Sequence, residues 1–267
     1  MVRQRTIKES VKVEGKGLHT GCYTKMYLHS APENTGVLFI KNKVKIPANY
    51  KFVVETSRRV VLEKDGEKIS TVEHFLSSLY YLGISNLYVE VDGDEVPILD
   101  GSAFYWVEIL EDLVKDQDDL IDELTIEKPY SFRVKNAEIL FFPSSRFQVL
   151  CAISFPNSFL RWQTFYLKDL KDYKTEIAPA RTFGFYYEVE ELVKKGLISG
   201  ADLNNALLVG EGRYVNEPRF KDEPVRHKIL DLIGDISLSG KRLKLKIISI
   251  GSGHSLHMKA MSYLLRG

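Results

Sequence analysis

The segment VRHKILDLIGD, residues 225–235, sets His227, Asp231 and Asp235 at i, i+4 and i+8. On a helix these three stand one above another on a single face, with Ile229, Leu232, Ile233 and Ile236 as an apolar stripe opposite. A solvated face ordinarily carries Lys and Glu, whereas this one carries the donors of a metal site. Neutral imidazole and carboxylate one turn apart can reach the same divalent ion, and a catalytic zinc usually takes three protein ligands and keeps a fourth position for water. His74, in TVEH, can be the third ligand if its helix meets this one at a domain junction. Glu73 beside it is then placed to take a proton from water. A plainer reading of the same residues has His74 in solvent and Glu73 closing a capping box on Ser70. Because H-x-x-x-D is short and common, spacing alone leaves both readings open.

The glycine-rich GSGHSLH, residues 251–257, holds His254 between an alternating strand and a helix, where a side chain is exposed and backbone can approach a ligand. It lacks the G-x-G-x-x-G spacing of a dinucleotide site, and GKGLHTG (15–21) lacks the P-loop pattern.

The elements that must position these residues are legible in the periodicity. IKESVKVEG, YTKMYLHS and NLYVEV alternate as half-buried strands. STVEHFLSSLYYL reads as a helix with Val72, Phe75, Leu76 and Leu79 on one face, and Ser102 is a candidate N-cap for a second helix, AFYWVEILEDLVK. The acidic run KDQDDLIDE (115–123) is the best linker. The second half repeats the order, with strands SFRVKNAEILFF and FQVLCAISF, a helix around 223–238, strand RLKLKIISI and a final helix from about Ser255. Two similarly built α+β domains are expected, 1–118 and 119–267.

Composition narrows the class. The chain has 267 residues, 44% apolar and 27% charged, with a net charge of +1 and dispersed Lys and Arg. That balance belongs to a globular protein without the basic footprint of a nucleic-acid binder. Cys22 and Cys151 are too few and too far apart for a disulfide framework or a thiolate zinc site. No run reaches the length of a membrane span and no secretory h-region opens the chain, so an intracellular location is expected.

Taken together, TVEH, ARTFGF (180–185), KGLISG with NNAL (195–207), NEPRFKDEPVRHKILDLIGD (216–235), SGHSL (252–256), GKGLHTG and PILDGS (97–102) resemble the UDP-3-O-acyl-N-acetylglucosamine deacetylases, in family order and over almost the whole chain. The resemblance implies a zinc-dependent amidase that commits a sugar nucleotide to lipid A synthesis in the cytoplasm of Gram-negative bacteria, with iron(II) as an alternative ion in the cell. It also implies a monomer working on the small molecule UDP-3-O-acyl-N-acetylglucosamine near the inner face of the membrane. The implied zinc ligands are His74, His227 and Asp231; Glu73 is the implied general base and His254 the general acid, supported by Asp235. Lys228 and Thr182 match active-site positions, Thr182 stabilising the tetrahedral intermediate, and Leu18, Thr182, Phe183, Gly200 and Lys228 match substrate-binding ones. The implied fold packs two helices from each domain between two sheets, with the active site at the junction. A second-domain insert, about 184–203, lines an acyl passage, and Val189, Leu192, Val193, Leu197 and Ile198 supply its apolar side chains.

Two residues depart from the family pattern. His257 stands where asparagine is more usual, and Asp202 replaces a more common serine in the insert. With the chain ending soon after the last helix, no dehydratase domain is expected behind it. Two other classes also fit parts of the pattern. Two histidines and one carboxylate also describe non-haem iron oxygenases, and a non-catalytic carbohydrate- or lipid-binding protein would keep the pocket without needing Glu73.

Overall fold

The computed structural model of the chain describes residues 2–155 and 158–266. The period-two segments of the first half pair into a five-stranded sheet, in the order Val11–Lys16, Tyr23–Ser30, Leu87–Asp92, Val37–Lys41 and Val44–Pro47. The strand latest in sequence lies at its centre, antiparallel to Tyr23–Ser30 and parallel to Val37–Lys41. The second sheet has the same plan, in the order Tyr130–Val134, Ala137–Pro143, Leu245–Ile250, Gln148–Ser154 and Trp162–Leu167. Here too the latest long strand inserts centrally, antiparallel to one hairpin and parallel to the other. Two similar sheet-plus-helix units therefore build an α+β fold.

Each central strand is flanked by helices. Helix α1 (Glu73–Leu82) precedes and α2 (Phe104–Leu110) follows the central strand of the first sheet. Two short helices intervene, α3 (Tyr173–Glu176) and α4 (Tyr186–Lys194), before α5 (Glu223–Ser237) and α6 (His254–Leu264) flank the central strand of the second sheet. Both α1 and α5 are buried on nearly all sides. Phe75 of α1 meets Phe39 of the first sheet edge-on at 6.1 Å. Ile229, Leu232 and Ile233 of α5 share one continuous core with Val149 and Ile247 of the second sheet. Each such fully buried side chain contributes roughly 1.5–3 kcal/mol. Helices α1 and α5 cross so closely that a Cβ on Gly234 would lie 2.1 Å from the Glu73 carbonyl oxygen. Only glycine permits this approach.

Several local expectations give way to tertiary context. Glu73 does not cap Ser70: Ser70 ends the strand Glu67–Ser70, Val72 is the N-cap without a side-chain bond, and Glu73 Oε2 accepts from the Val60 amide at 3.1 Å. Thr71, before the helix, takes φ +56°, a conformation costly for a β-branched residue. Its hydroxyl donates to Glu95 Oε1 at 2.6 Å, which helps to hold it there. Ala103, not Ser102, occupies the N-cap of α2, although the Ser102 hydroxyl still accepts from the Phe104 amide at 3.1 Å. That helix ends at Leu110 and tightens into a 3₁₀ turn over Glu111–Leu113. The acidic run after it is not a linker: Val114–Leu120 is a strand paired antiparallel with Arg3–Ile7. Its partner lies at the other end of the half, so local composition carries no trace of it. Second-half pairing begins at Glu123, against Arg242. SFRVKNAEILFF is a hairpin turning at Lys135–Asn136 rather than one strand.

Candidate active site

Where α1 meets α5, His74, His227 and Asp231 converge. His227 Nε2 lies 3.3 Å and His74 Nε2 3.7 Å from Asp231 Oδ1, all three residues being buried. The two imidazoles meet edge to face with centroids 4.9 Å apart. Burial, reinforced by His227, pushes His74 down to about 3, so its ring is neutral. Burial opposes ionisation of Asp231, but His227 and Lys228 outweigh it and hold the carboxyl well below its usual range. The Lys228 ammonium donates to Asp231 Oδ2 at 2.6 Å, on the side away from the histidines. His227 Nδ1 lies 3.0 Å from the Ala180 carbonyl, which can only accept, so Nδ1 donates there and Nε2 is the nitrogen turned toward Asp231. Ligand atoms of His74, His227 and Asp231 all lie within 4.8 Å of one another, and two imidazoles with one carboxylate are a donor set suited to a divalent ion.

Glu73 and His254 flank this cluster. Burial pushes Glu73 up to about 7, against a lowering pull from His254. Burial by itself would lower His254, but the Asp235 carboxylate outweighs it and raises the ring to about 9. His254 Nδ1 sits 2.8 Å from Asp235 Oδ2 and 3.0 Å from Oδ1. The result is a carboxylate poised near neutrality and an imidazolium that survives well above it. That is the separation a general base and a general acid require.

Glu73, His254, His74, His227 and Asp231 line a cleft of about 500 Å³ together with Leu18, Thr182, Phe183, Phe155 and Lys228. It adjoins a second cavity of about 330 Å³, lined by Val189, Leu192, Ile198, Leu203, Ala206 and Leu208. Leu18, His19, Thr182 and Phe183 belong to both. The apolar cavity is walled by a β-α-β unit, in which Phe183–Phe185 pairs in parallel with Leu207–Val209 across α4. This unit contains the stretch 184–203 and extends past it at each end.

A family model for UDP-3-O-acyl N-acetylglycosamine deacetylase matches residues 4–266. The chain belongs to this family of metal-dependent deacetylases. Among its relatives, the UDP-3-O-acyl-N-acetylglucosamine deacetylase of Aquifex aeolicus is 40% identical, covering 98% of this chain and 93% of the relative. That of Myxococcus xanthus is 38% identical (96% and 84%), and that of Chlamydia trachomatis serovar L2 37% identical (94% and 91%).

Within this deacetylase, residues predicted from sequence gather closely, apart from Gly200, Leu197 and Val193. Gly200 lines neither cavity; its amide donates to the Leu18 carbonyl at 3.0 Å, and a Cβ there would meet the Gly17 carbonyl at 2.0 Å. It serves close packing of the Leu18 loop. Of the insert side chains, Val189, Leu192 and Ile198 reach the cavity, while Leu197 does not and Val193 is 59% exposed. Asp202 accepts from the amides of Asn204 and Asn205 at 2.7 and 3.1 Å, a local turn that a serine also makes more weakly. Sequence reasoning missed Glu95, whose carboxylate takes the amides of His19 and Thr20 and the hydroxyls of Thr20 and Thr71, pinning the Leu18 loop to the start of α1. A lone glutamate in DGDEV gives no signal of that. It also missed Arg58, whose guanidinium reaches Glu188 of α4 at 3.3 Å across the mouth of the cleft.

Proposed function

We propose that this deacetylase hydrolyses the acetamide of UDP-3-O-acyl-N-acetylglucosamine, releasing acetate and the free amine in the step that commits the sugar nucleotide to lipid A, and that its ion is zinc. The observation that carries the reading is the convergence of His74, His227 and an ionised Asp231 in one buried cluster, with Glu73 and His254 tuned apart on either side. His74, His227 and Asp231 would hold the ion, which when bound supplies Lewis-acid polarisation and makes water acidic enough to attack near neutral pH.

The chain's own residues do the rest. Glu73, ionised, takes the proton of the attacking water. Thr182, on the cleft wall next to Phe183, offers a hydroxyl to the negative oxygen that develops as the carbonyl becomes tetrahedral. Lys228 adds positive charge nearby while its ammonium anchors Asp231. His254, held protonated by Asp235, donates to the departing amine nitrogen. The apolar cavity receives the acyl chain, and Leu18 and Phe183 guide it at the junction of the two spaces.

The accompanying assignments are a division into domains 1–118 and 119–267, whose junction falls within the strand Val114–Leu120, and a cytoplasmic monomer acting on a small molecule rather than nucleic acid. A net charge of +1 supports the last point. No described helix is long and apolar enough to cross a membrane. The decisive experiment measures metal content together with acetate release from the acylated sugar nucleotide. Purified protein that holds about one zinc per chain and releases acetate supports the reading. Zinc-loaded protein that releases none refutes it.

A further inference from the structure

His257, one turn beyond His254 on α6, takes no part in the reaction just described, yet it is fully enclosed and points at the same carboxylate. Its Nδ1 lies 2.6 Å from Asp235 Oδ2, shorter than either contact His254 makes with that residue. Its Nε2 lies 2.7 Å from Ser252 Oγ, and Ser252 Oγ lies 2.6 Å from Ser249 Oγ. Ser249 in turn accepts from the Cys151 thiol at 3.7 Å. His257, Asp235, Ser249 and Cys151 are each no more than 2% exposed.

We infer that His257 is a positioning residue of the deacetylase, the last link of a one-way chain of donors running Cys151, Ser249, Ser252, His257 and fixing the Asp235 carboxylate against His254. The inference rests on the reading of His254 as the general acid.

The direction of the chain follows from its ends. Asp235, ionised, can only accept, so His257 Nδ1 carries a hydrogen. Burial pushes His257 down, keeping the ring neutral and Nε2 bare, so Ser252 must donate to it. Ser252 is then free to accept from Ser249, and Ser249 from the thiol. Burial pushes Cys151 up to about 11, so the thiol keeps its hydrogen. Each group makes one donation and none is left without a partner. The charged groups facing the Asp235 and His254 pair are Glu73 of α1 and, on the same helix as Asp235, Asp231 and Lys228.

Two alternatives fit less well. Asp235, His254 and His257 can be grouped as metal ligands, but nitrogen–oxygen separations of 2.6 and 2.8 Å are hydrogen bonds with no space for an ion between the atoms. A proton conduit would need an outlet, and this chain stops at a buried thiol that stays protonated. The chain therefore anchors the carboxylate. It leaves Asp235 in one rotamer with His254 Nδ1 between its two oxygens, so that His254 Nε2 stays directed at the cleft.

The test uses full-length zinc-loaded protein and three variants. His257→Asn keeps an N–H close to the position of Nδ1, while His257→Leu removes the donor, and Ser252→Ala breaks the chain one link earlier. Losing a hydrogen bond to a charged group should lower kcat about ten- to a hundredfold in His257→Leu, with KM and zinc content unchanged. His257→Asn should restore kcat to within about threefold of wild type, since the bond to Asp235 survives. Nitrogen-15 NMR of wild type should show His257 neutral with hydrogen on Nδ1, and Ser252→Ala should release that preference. The NMR signal is read without turnover, so it stands even if the native substrate is a different amide. Undiminished kcat in His257→Leu, an Asn variant as slow as the Leu variant, or hydrogen on Nε2 in wild type would each overturn the inference.

Discussion

Replacing Gly234 by alanine tests whether the site depends on how closely α1 and α5 approach. An alanine Cβ at 234 would stand 2.1 Å from the Glu73 carbonyl oxygen, 2.7 Å from its carbon and 2.9 Å from its Cα. These are backbone atoms, so no side chain can swing aside. Restoring ordinary contact requires α1 to retreat by about 1.3 Å, because packed interiors transmit such strain instead of absorbing it. Glu73 and His74 move with their backbone, while His227 and Asp231 remain on α5. A displacement of about 1 Å from productive geometry can cost on the order of a hundredfold in rate, or about 2.7 kcal/mol of barrier. Stability should respond less. Overpacking costs about 1–3 kcal/mol, and the better helix propensity of alanine offsets up to about 1 kcal/mol of that. Gly234→Ala is therefore expected to fold, to unfold at a moderately lower temperature, to lose at least a hundredfold in kcat/KM and to bind zinc more weakly. Acetate release, bound metal and thermal unfolding are measured on one preparation. Wild-type turnover and metal content in a folded Gly234→Ala protein would refute the argument that this crossing sets the position of Glu73.

Alanine at His74, His227 or Asp231 should each remove tightly bound zinc while leaving a folded protein, and full retention by all three variants would sink the ligand assignment. The pH dependence of kcat/KM should be a bell: the base must be ionised, so the rate falls below the Glu73 value of about 7, and the acid must be protonated, so it falls above the His254 value of about 9. A bound dication favours ionised Glu73, which places the acidic limb at or below 7. Asp235→Asn removes the group that raises His254 and leaves burial to lower it, so the basic limb should move to lower pH; an unmoved limb with normal zinc content would show that Asp235 only supports the helix. Each methylene buried in the apolar cavity contributes about 0.8 kcal/mol, so removing a long acyl chain should depress kcat/KM by orders of magnitude. Equal rates on acylated and unacylated sugar nucleotide would show that the cavity between Val189, Leu192 and Ile198 is structural only.

The sequence by itself determined what repeats over a few residues. Alternation located the strands Tyr23–Ser30 and Leu87–Asp92, and the 3.6-residue period located α1 and α5 with His227, Asp231 and Asp235 on one face. The match of several long motifs in order singled out the residues proposed as ligands and proton carriers, which the spacing of one helix could not. Pairing between distant segments was decided only in three dimensions. The acidic run after α2 became a strand because Arg3–Ile7 offered it an edge. Glu73 turned to the Val60 amide because the tertiary fold buries the start of α1, and the polar face of α5 became an interior one because α1 lies against it. The same burial set the chemistry. A carboxylate near 7 and an imidazole near 9 are properties of enclosure and of neighbours far away in sequence, Glu73 on α1 and His254 on α6 meeting across α5. His254 and His257 lie three residues apart, so a shared helical face was legible. That both would bind one carboxylate on another helix was not, because a sequence carries the period of an element but not the distance between two of them.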